Sequence, residues 1–230
     1  MRSRSTWSLA PVTIILVAIQ VLVYLAMTLA GGSTNPAVLV RFGALQPELL
    51  RVGQWWRLIT PVFVHIGFTH LLINSLTLYF LGLYIEQLFG HWRMLVIYFV
   101  SAIVGNLCSA YWLSGSLAAG ASTAIFGLFG AFLMLGESFR ENLAIRQLSR
   151  QFLILVLLNV GTDLLVPGID LAGHIGGLFA GFLMAYVVAA PKIGPVAKSK
   201  RWLSAIVLVV GVLVLILEVS WKNGNDSTWI

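Results

Sequence analysis

Three small groups of polar residues stand where their neighbours are apolar. Ser122 lies in G-A-S-T-A-I-F-G (residues 120–127), His174 in D-L-A-G-H-I-G-G (residues 170–177), and His70 with Asn74 in H-L-L-I-N (residues 70–74). A serine hydroxyl is a poor nucleophile until a base within hydrogen-bond reach takes its proton. Histidine is the side chain best matched to that task near neutral pH. Ser122 and His174 are therefore a candidate nucleophile–base dyad. His70 and Asn74, four residues apart, share a helical face, and two donors there could hold the negative oxygen of a tetrahedral intermediate. Asn74 is the firmer of the two because its amide donates at any pH. Gly120 precedes the serine near the start of a span, where first-turn N–H groups lack intrahelical partners and could add to such a site.

Each group also has a plainer reading. A lone serine in an apolar helix packs, or bonds back to a carbonyl one turn earlier. A histidine near a helix end contacts headgroups or a carbonyl, and a His–Asn pair ties helices together. Asp170, one turn before His174, either orients the imidazole or caps the helix that follows, and capping is favoured. His65 is nearer the surface and shapes water access. His65 and His70 are five apart, off the one-turn spacing of paired ligands; no H-E-x-x-H occurs, and His91 falls on the opposite side. No metal site is expected. Asp163 and Asp170 fall in or near one loop, which argues against a pair of intramembrane aspartates.

The elements that must carry these residues are membrane spans. Of 230 residues, 59% are hydrophobic and 10% charged, against roughly 25% charged in soluble domains. At roughly 20 apolar residues per span, the chain holds six or seven helices and no large soluble domain. Apolar segments run over about residues 11–30, 61–85, 94–113, 117–135, 152–166, 171–189 and 202–219. The first follows a basic start with Arg2 and Arg4, and its near-spanning length marks it as retained rather than a cleaved leader. The single cysteine, Cys108, lies within an apolar stretch and reads as packing. Gly173, Gly177 and Gly181 recur every four residues, the pattern that lets helix backbones approach closely.

The net charge of +6 is spread in short clusters between spans, which suits membrane orientation and not nucleic-acid binding. With seven spans, Arg2, Arg4, Arg93, Arg140, Arg146, Arg150, Lys192, Lys198, Lys200 and Arg201 share one side. Arg41, Arg51, Arg57 and Lys222 lie on the other. The positive-inside rule then makes the start cytoplasmic and both the 31–60 loop and the chain end external. His70, Ser122 and His174 would all lie in the outer half of the bilayer.

These motifs resemble the rhomboid family of intramembrane serine proteases. The second span carries H-x-x-x-x-H-L-L-x-N as His65, His70, Leu71, Leu72 and Asn74; the fourth carries G-x-S as Gly120 and Ser122; the sixth carries H-x-x-G as His174 and Gly177, extended by Gly181. The resemblance implies an all-α polytopic bundle, with a six-helix core over 1–190 and a basic linker, seventh helix and tail over 191–230. It implies Ser122 as nucleophile, His174 as base, and His70, Asn74 and the Ser122 N–H as the oxyanion site. Trp56 and Arg57 would belong to a partly membrane-embedded external loop, and Glu86 would tie the end of the second helix to its neighbours. Phe126 stands where some members stack a tyrosine on the base, and Gly173 where alanine is usual.

The function implied is hydrolysis of peptide bonds in or near transmembrane segments of membrane proteins, single-spanning ones foremost, within a lipid bilayer and without a cofactor. A bacterial plasma membrane is the expected location. The rival reading is a catalytically inactive rhomboid-like binder or chaperone of membrane segments. A transporter fits less well, since the spans hold no charged pathway and no internal repeat.

Overall fold

A computed structural model describes residues 10–112, 117–166 and 168–225; the basic start with Arg2 and Arg4 lies outside them. Helix α1, Pro11–Leu29, opens with proline at its first position, where a missing N–H costs nothing. Its next two N–H groups are capped from another helix: Glu86 accepts from Val12 N at 2.9 Å and from Thr13 N at 2.8 Å. Glu86 also accepts from Thr13 Oγ1 at 2.7 Å and lies 2.6 Å from His91 Nδ1, so a fully buried carboxylate has all its bonds from protein.

Two short helices follow, α2 (Pro36–Arg41) and α3 (Pro47–Arg51), each started by proline. Two 3-10 turns, Trp55–Leu58 and Thr60–Phe63, lead into α4, Gly67–Phe89. Gly90, at φ +91°, breaks the chain between α4 and α5, His91–Trp112. Next come α6 (Ser122–Ser138), α7 (Leu143–Leu165), α8 (Leu171–Val188) and α9 (Lys198–Asn225). Among the described residues the only extended pairing is a single antiparallel bridge, Leu45 to Ala118, so the fold is an all-α bundle.

Among the described residues six helices, α1, α4, α5, α7, α8 and α9, are long and apolar enough to cross a membrane. The seventh, α6, has 17 residues. At 1.5 Å per residue it spans about 25 Å, a little less than the hydrocarbon core. That length suffices because α6 is wrapped by α4, α5, α7 and α8, and is almost wholly buried. The outer helices instead turn leucines outward, Leu157, Leu158 and Leu164 on α7 and Leu203, Leu213 and Leu217 on α9. Such a surface is at rest only against an apolar solvent. Helix α9 packs on α8 and α5, and its Val219 is buried in a cluster with Leu45, Leu50, Leu58 and Leu107.

Helix boundaries differ from those expected at the starts of three helices and at both ends of α9, which runs over Lys198–Asn225 rather than 202–219. The second apolar segment begins at 61, but its helix begins at Gly67, because Pro61 sits in a 3-10 turn and Gly67 adopts φ +76°. The fourth loses its first residues to the extended stretch 117–119 and to Gly120 at φ +123°. The fifth is longer than its apolar run: α7 starts at Leu143, with the Asn142 side chain accepting from Ile145 N at 3.2 Å, and takes in Arg146 and Arg150.

The α6–α8 contact is made backbone to backbone. A Cβ on Gly177 would lie 2.1 Å from the Thr123 carbonyl oxygen, and one on Gly181 would lie 2.0 Å from that of Gly127. Both positions must be glycine for these helices to sit this close.

Candidate active site

Ser122 is the first residue of α6, and the segment before it is pinned on two sides. Leu45 N donates to Ala118 O (2.8 Å), Ala118 N to Leu45 O (2.9 Å), and Gly120 N to Pro61 O (3.0 Å). The 36–63 region that receives these bonds is itself held by Arg57, whose buried guanidinium donates to Val40 O at 2.9 Å, Ala44 O at 2.7 Å and Gln54 Oε1 at 2.7 Å. Asn106 Nδ2 adds a bond to Leu58 O at 2.9 Å. Trp56, by contrast, is exposed, as expected of an aromatic ring at an apolar–polar boundary.

His174, in the first turn of α8, is 8% exposed. Its Nε2 lies 2.7 Å from Ser122 Oγ and its Nδ1 lies 2.6 Å from Asp163 Oδ2. A carboxylate only accepts, so Nδ1 carries the proton and Nε2 of the neutral ring accepts from the serine hydroxyl. The Phe126 ring lies flat on the imidazole, with centroids 4.3 Å apart and planes 10° from parallel. The stack needs no hydroxyl, so phenylalanine fills the tyrosine position without losing this contact. An imidazole held this way can take a proton from the hydroxyl facing it.

His70 and Asn74 lie in the first two turns of α4. His70 touches the serine loop: a Cβ on Gly120 would fall 2.6 Å from its Cε1, so the glycine at 120 makes room for the imidazole as well as allowing the positive φ. Asn74 is buried, and its Nδ2 donates to His70 O at 3.0 Å, so that among the described residues its second amide hydrogen has no acceptor. Ala121, the residue before α6, offers no side-chain cap, so the N–H groups of the first turn beside Ser122 lack intrahelical acceptors.

His65 is fully buried and lies edge-on to His70, with ring centroids 5.3 Å apart. Burial first, then the charge of His70, pushes its imidazole down to about 3, only partly offset by the Phe63 carbonyl. It is thus a neutral packing group against His70 rather than a surface residue guiding water. Glu86 sits at the far end of α4 and holds α1 as described, while Gly177 and Gly181 set the α6–α8 distance that brings Ser122 to His174.

Asp170 caps α8, its Oδ1 accepting from Gly173 N at 2.9 Å, and it also bonds the Ser109 hydroxyl. Gly173 is under stronger constraint than the mild replacement of an alanine would suggest. A Cβ there would fall 2.4 Å from both Asp170 Oδ2 and Ser109 Oγ. The carboxylate that reaches the imidazole is Asp163, in the last turn of α7 and so beside the loop that leads to α8. The available signal was a lone ionisable residue inside an apolar helix, a costly placement that calls for a partner. Among the described residues no group of three or more His, Cys, Asp or Glu side chains is arranged to hold a metal ion.

Comparison with known proteins agrees with this architecture. Residues 52–191 match the family described as Rhomboid domain. The chain is 40% identical over 197 residues to rhomboid protease GluP of Bacillus subtilis (strain 168), covering 86% of this chain and 38% of that protein. It is 37% identical over 181 residues to Rhomboid-like protease 2 of Toxoplasma gondii, covering 74% and 62%. It is 34% identical over 188 residues to putative rhomboid protease YdcA of B. subtilis, covering 80% and 92%. The chain thus spans less than two thirds of the length of the first two relatives. With the family match covering 140 of the 230 residues, α4 to α8 and Ser122, His174, His70 and Asn74 among them, this chain belongs to the rhomboid family.

Proposed function

We propose that the chain is an intramembrane serine endopeptidase that hydrolyses peptide bonds in or near transmembrane segments of other membrane proteins. The observation that carries this reading is the 2.7 Å contact between Ser122 Oγ and His174 Nε2 inside a membrane-type bundle. Kinship with proteins named as rhomboid proteases supports it.

In the proposed reaction His174 Nε2 takes the Ser122 proton as Oγ attacks the substrate carbonyl. The oxygen of the tetrahedral intermediate is held by the second N–H of Asn74, by His70 and by the Ser122 N–H. His174 then gives its proton to the leaving amine, and water resolves the acyl-enzyme with the same histidine as base. A substrate helix has its carbonyls bonded internally, so the segment cut is a locally unwound one. Single-spanning proteins in the same bilayer are the substrates expected. A binder of membrane segments would use the bundle surface but has no need of a hydroxyl held against an imidazole.

Wild type, Ser122→Ala and His174→Ala, each in liposomes with a helical membrane substrate, provide the test. Cleavage should fall by about 10⁴-fold or more in both variants. Cleavage equal to wild type in either one removes the mechanism.

A further inference from the structure

The imidazole of His174 has two degrees of freedom to settle, the plane of the ring and the rotation within that plane. Phe126 sets the plane. Stacking alone leaves the ring free to swap its nitrogens, and a swapped or wrongly protonated ring cannot accept from Ser122. Asp163 removes that freedom, because its Oδ2 lies 2.6 Å from Nδ1, the nitrogen facing away from the serine. Both side chains are nearly buried, 10% exposed for His174 and 6% for Asp163, so water does not screen the pair. The other nearby carboxylate, Asp170, is engaged by Gly173 N and the Ser109 hydroxyl. The position of Asp163 is fixed in turn by α7 packing on α6, where Phe152 stacks on Phe132 with centroids 4.2 Å apart.

We infer that Asp163 is a positioning residue that converts the Ser122–His174 pair into a Ser-His-Asp array, with the aspartate supplied by the neighbouring helix α7. It holds the ring as the Nδ1–H tautomer and faces the positive charge that forms when Nε2 takes the serine proton. The Nδ1 proton stays on the ring throughout. The inference rests on the protease reading above.

Steady-state cleavage of the helical substrate by Asp163→Asn and Asp163→Ala tests it, alongside wild type and Ser122→Ala, with fluorophosphonate labelling of Ser122 as a second readout. The expected result is a kcat lower by about 10²–10⁴-fold, with KM within about twofold because a positioning group does not bind substrate. Added formate should restore at least about tenfold in Asp163→Ala, by returning a carboxylate to the vacated space, and should do nothing for wild type or Ser122→Ala.

Variants within threefold of wild type, beside an inactive Ser122→Ala, overturn the role of Asp163 and leave the protease reading standing. Losses that formate does not reverse, or failure of both variants to fold, assign Asp163 to holding α7 against α8 and likewise overturn it. Wild type as inert as Ser122→Ala in both readouts overturns the protease reading and this inference together.

Discussion

In the proposed reaction Asn74 is the residue whose work waits for a substrate. Its amide donates one hydrogen to His70 O, four residues back in its own helix, and this bond spends half of its donor capacity on a carbonyl that α4 already satisfies. The other hydrogen is what an oxyanion would recruit. Asn74→Ala should therefore lower kcat by about 10²–10³-fold, the usual loss for one oxyanion donor, with little change in unfolding temperature. An unchanged kcat would remove Asn74 from the site. Ser122, His174 and Asn74 were legible in the sequence because each is polar where polarity is costly. Asp163 obeys the same rule, yet its partner was not legible. Eleven residues and a helix reversal separate it from His174, and sequence spacing does not report that the end of one helix lies on the start of the next. Asp170, at one-turn spacing, offered the simpler pairing and is occupied elsewhere.

Between elements, the distance that matters is from α6 to α8, because one carries the hydroxyl and the other the imidazole. It is set by Gly177 and Gly181 against the backbone of Thr123 and Gly127. The four-residue glycine repeat announced close packing; which helix it packs on is a tertiary fact. Gly177→Ala would put a methyl 2.1 Å from the Thr123 carbonyl oxygen, and backbone cannot step aside as a side chain can. The variant should be destabilised by about 1–3 kcal/mol and lose about 10²-fold in cleavage, the usual result of moving catalytic groups apart by an ångström. Thermal unfolding in detergent and the liposome assay measure the two effects. Wild-type activity with a normal unfolding temperature would mean that the contact yields without moving Ser122. Helix starts were the least legible feature at this scale, since hydropathy does not register a change of backbone conformation within an apolar run. Gly67 and Gly120, both at positive φ, cut α4 and α6 shorter than their apolar segments.

At the scale of the bundle, taking the seven apolar helices among the described residues as spans would put the Ser122 end on the side away from most of the basic residues. The proposed orientation has that end external. A reporter fused in the 140–150 loop should read cytoplasmic and one after Lys222 external; the reverse result would overturn the orientation while leaving the site geometry as it is. The membrane class and the all-helical bundle were determined by sequence alone, because 59% hydrophobic content leaves water excluded as a solvent and the helix as the span that satisfies its own backbone. The candidate nucleophile, base and oxyanion donors were named there too, but not Asp163 as the partner of His174. What tertiary structure decided is which groups meet. The α6–α8 approach brings Ser122 to His174, Phe126 covers the ring, and α7 delivers Asp163 rather than Asp170 to its far nitrogen. Hydrogen bonds of 2.6 and 2.7 Å depend on helix register and crossing to a fraction of an ångström, and those are settled only when all the packed faces are satisfied at once.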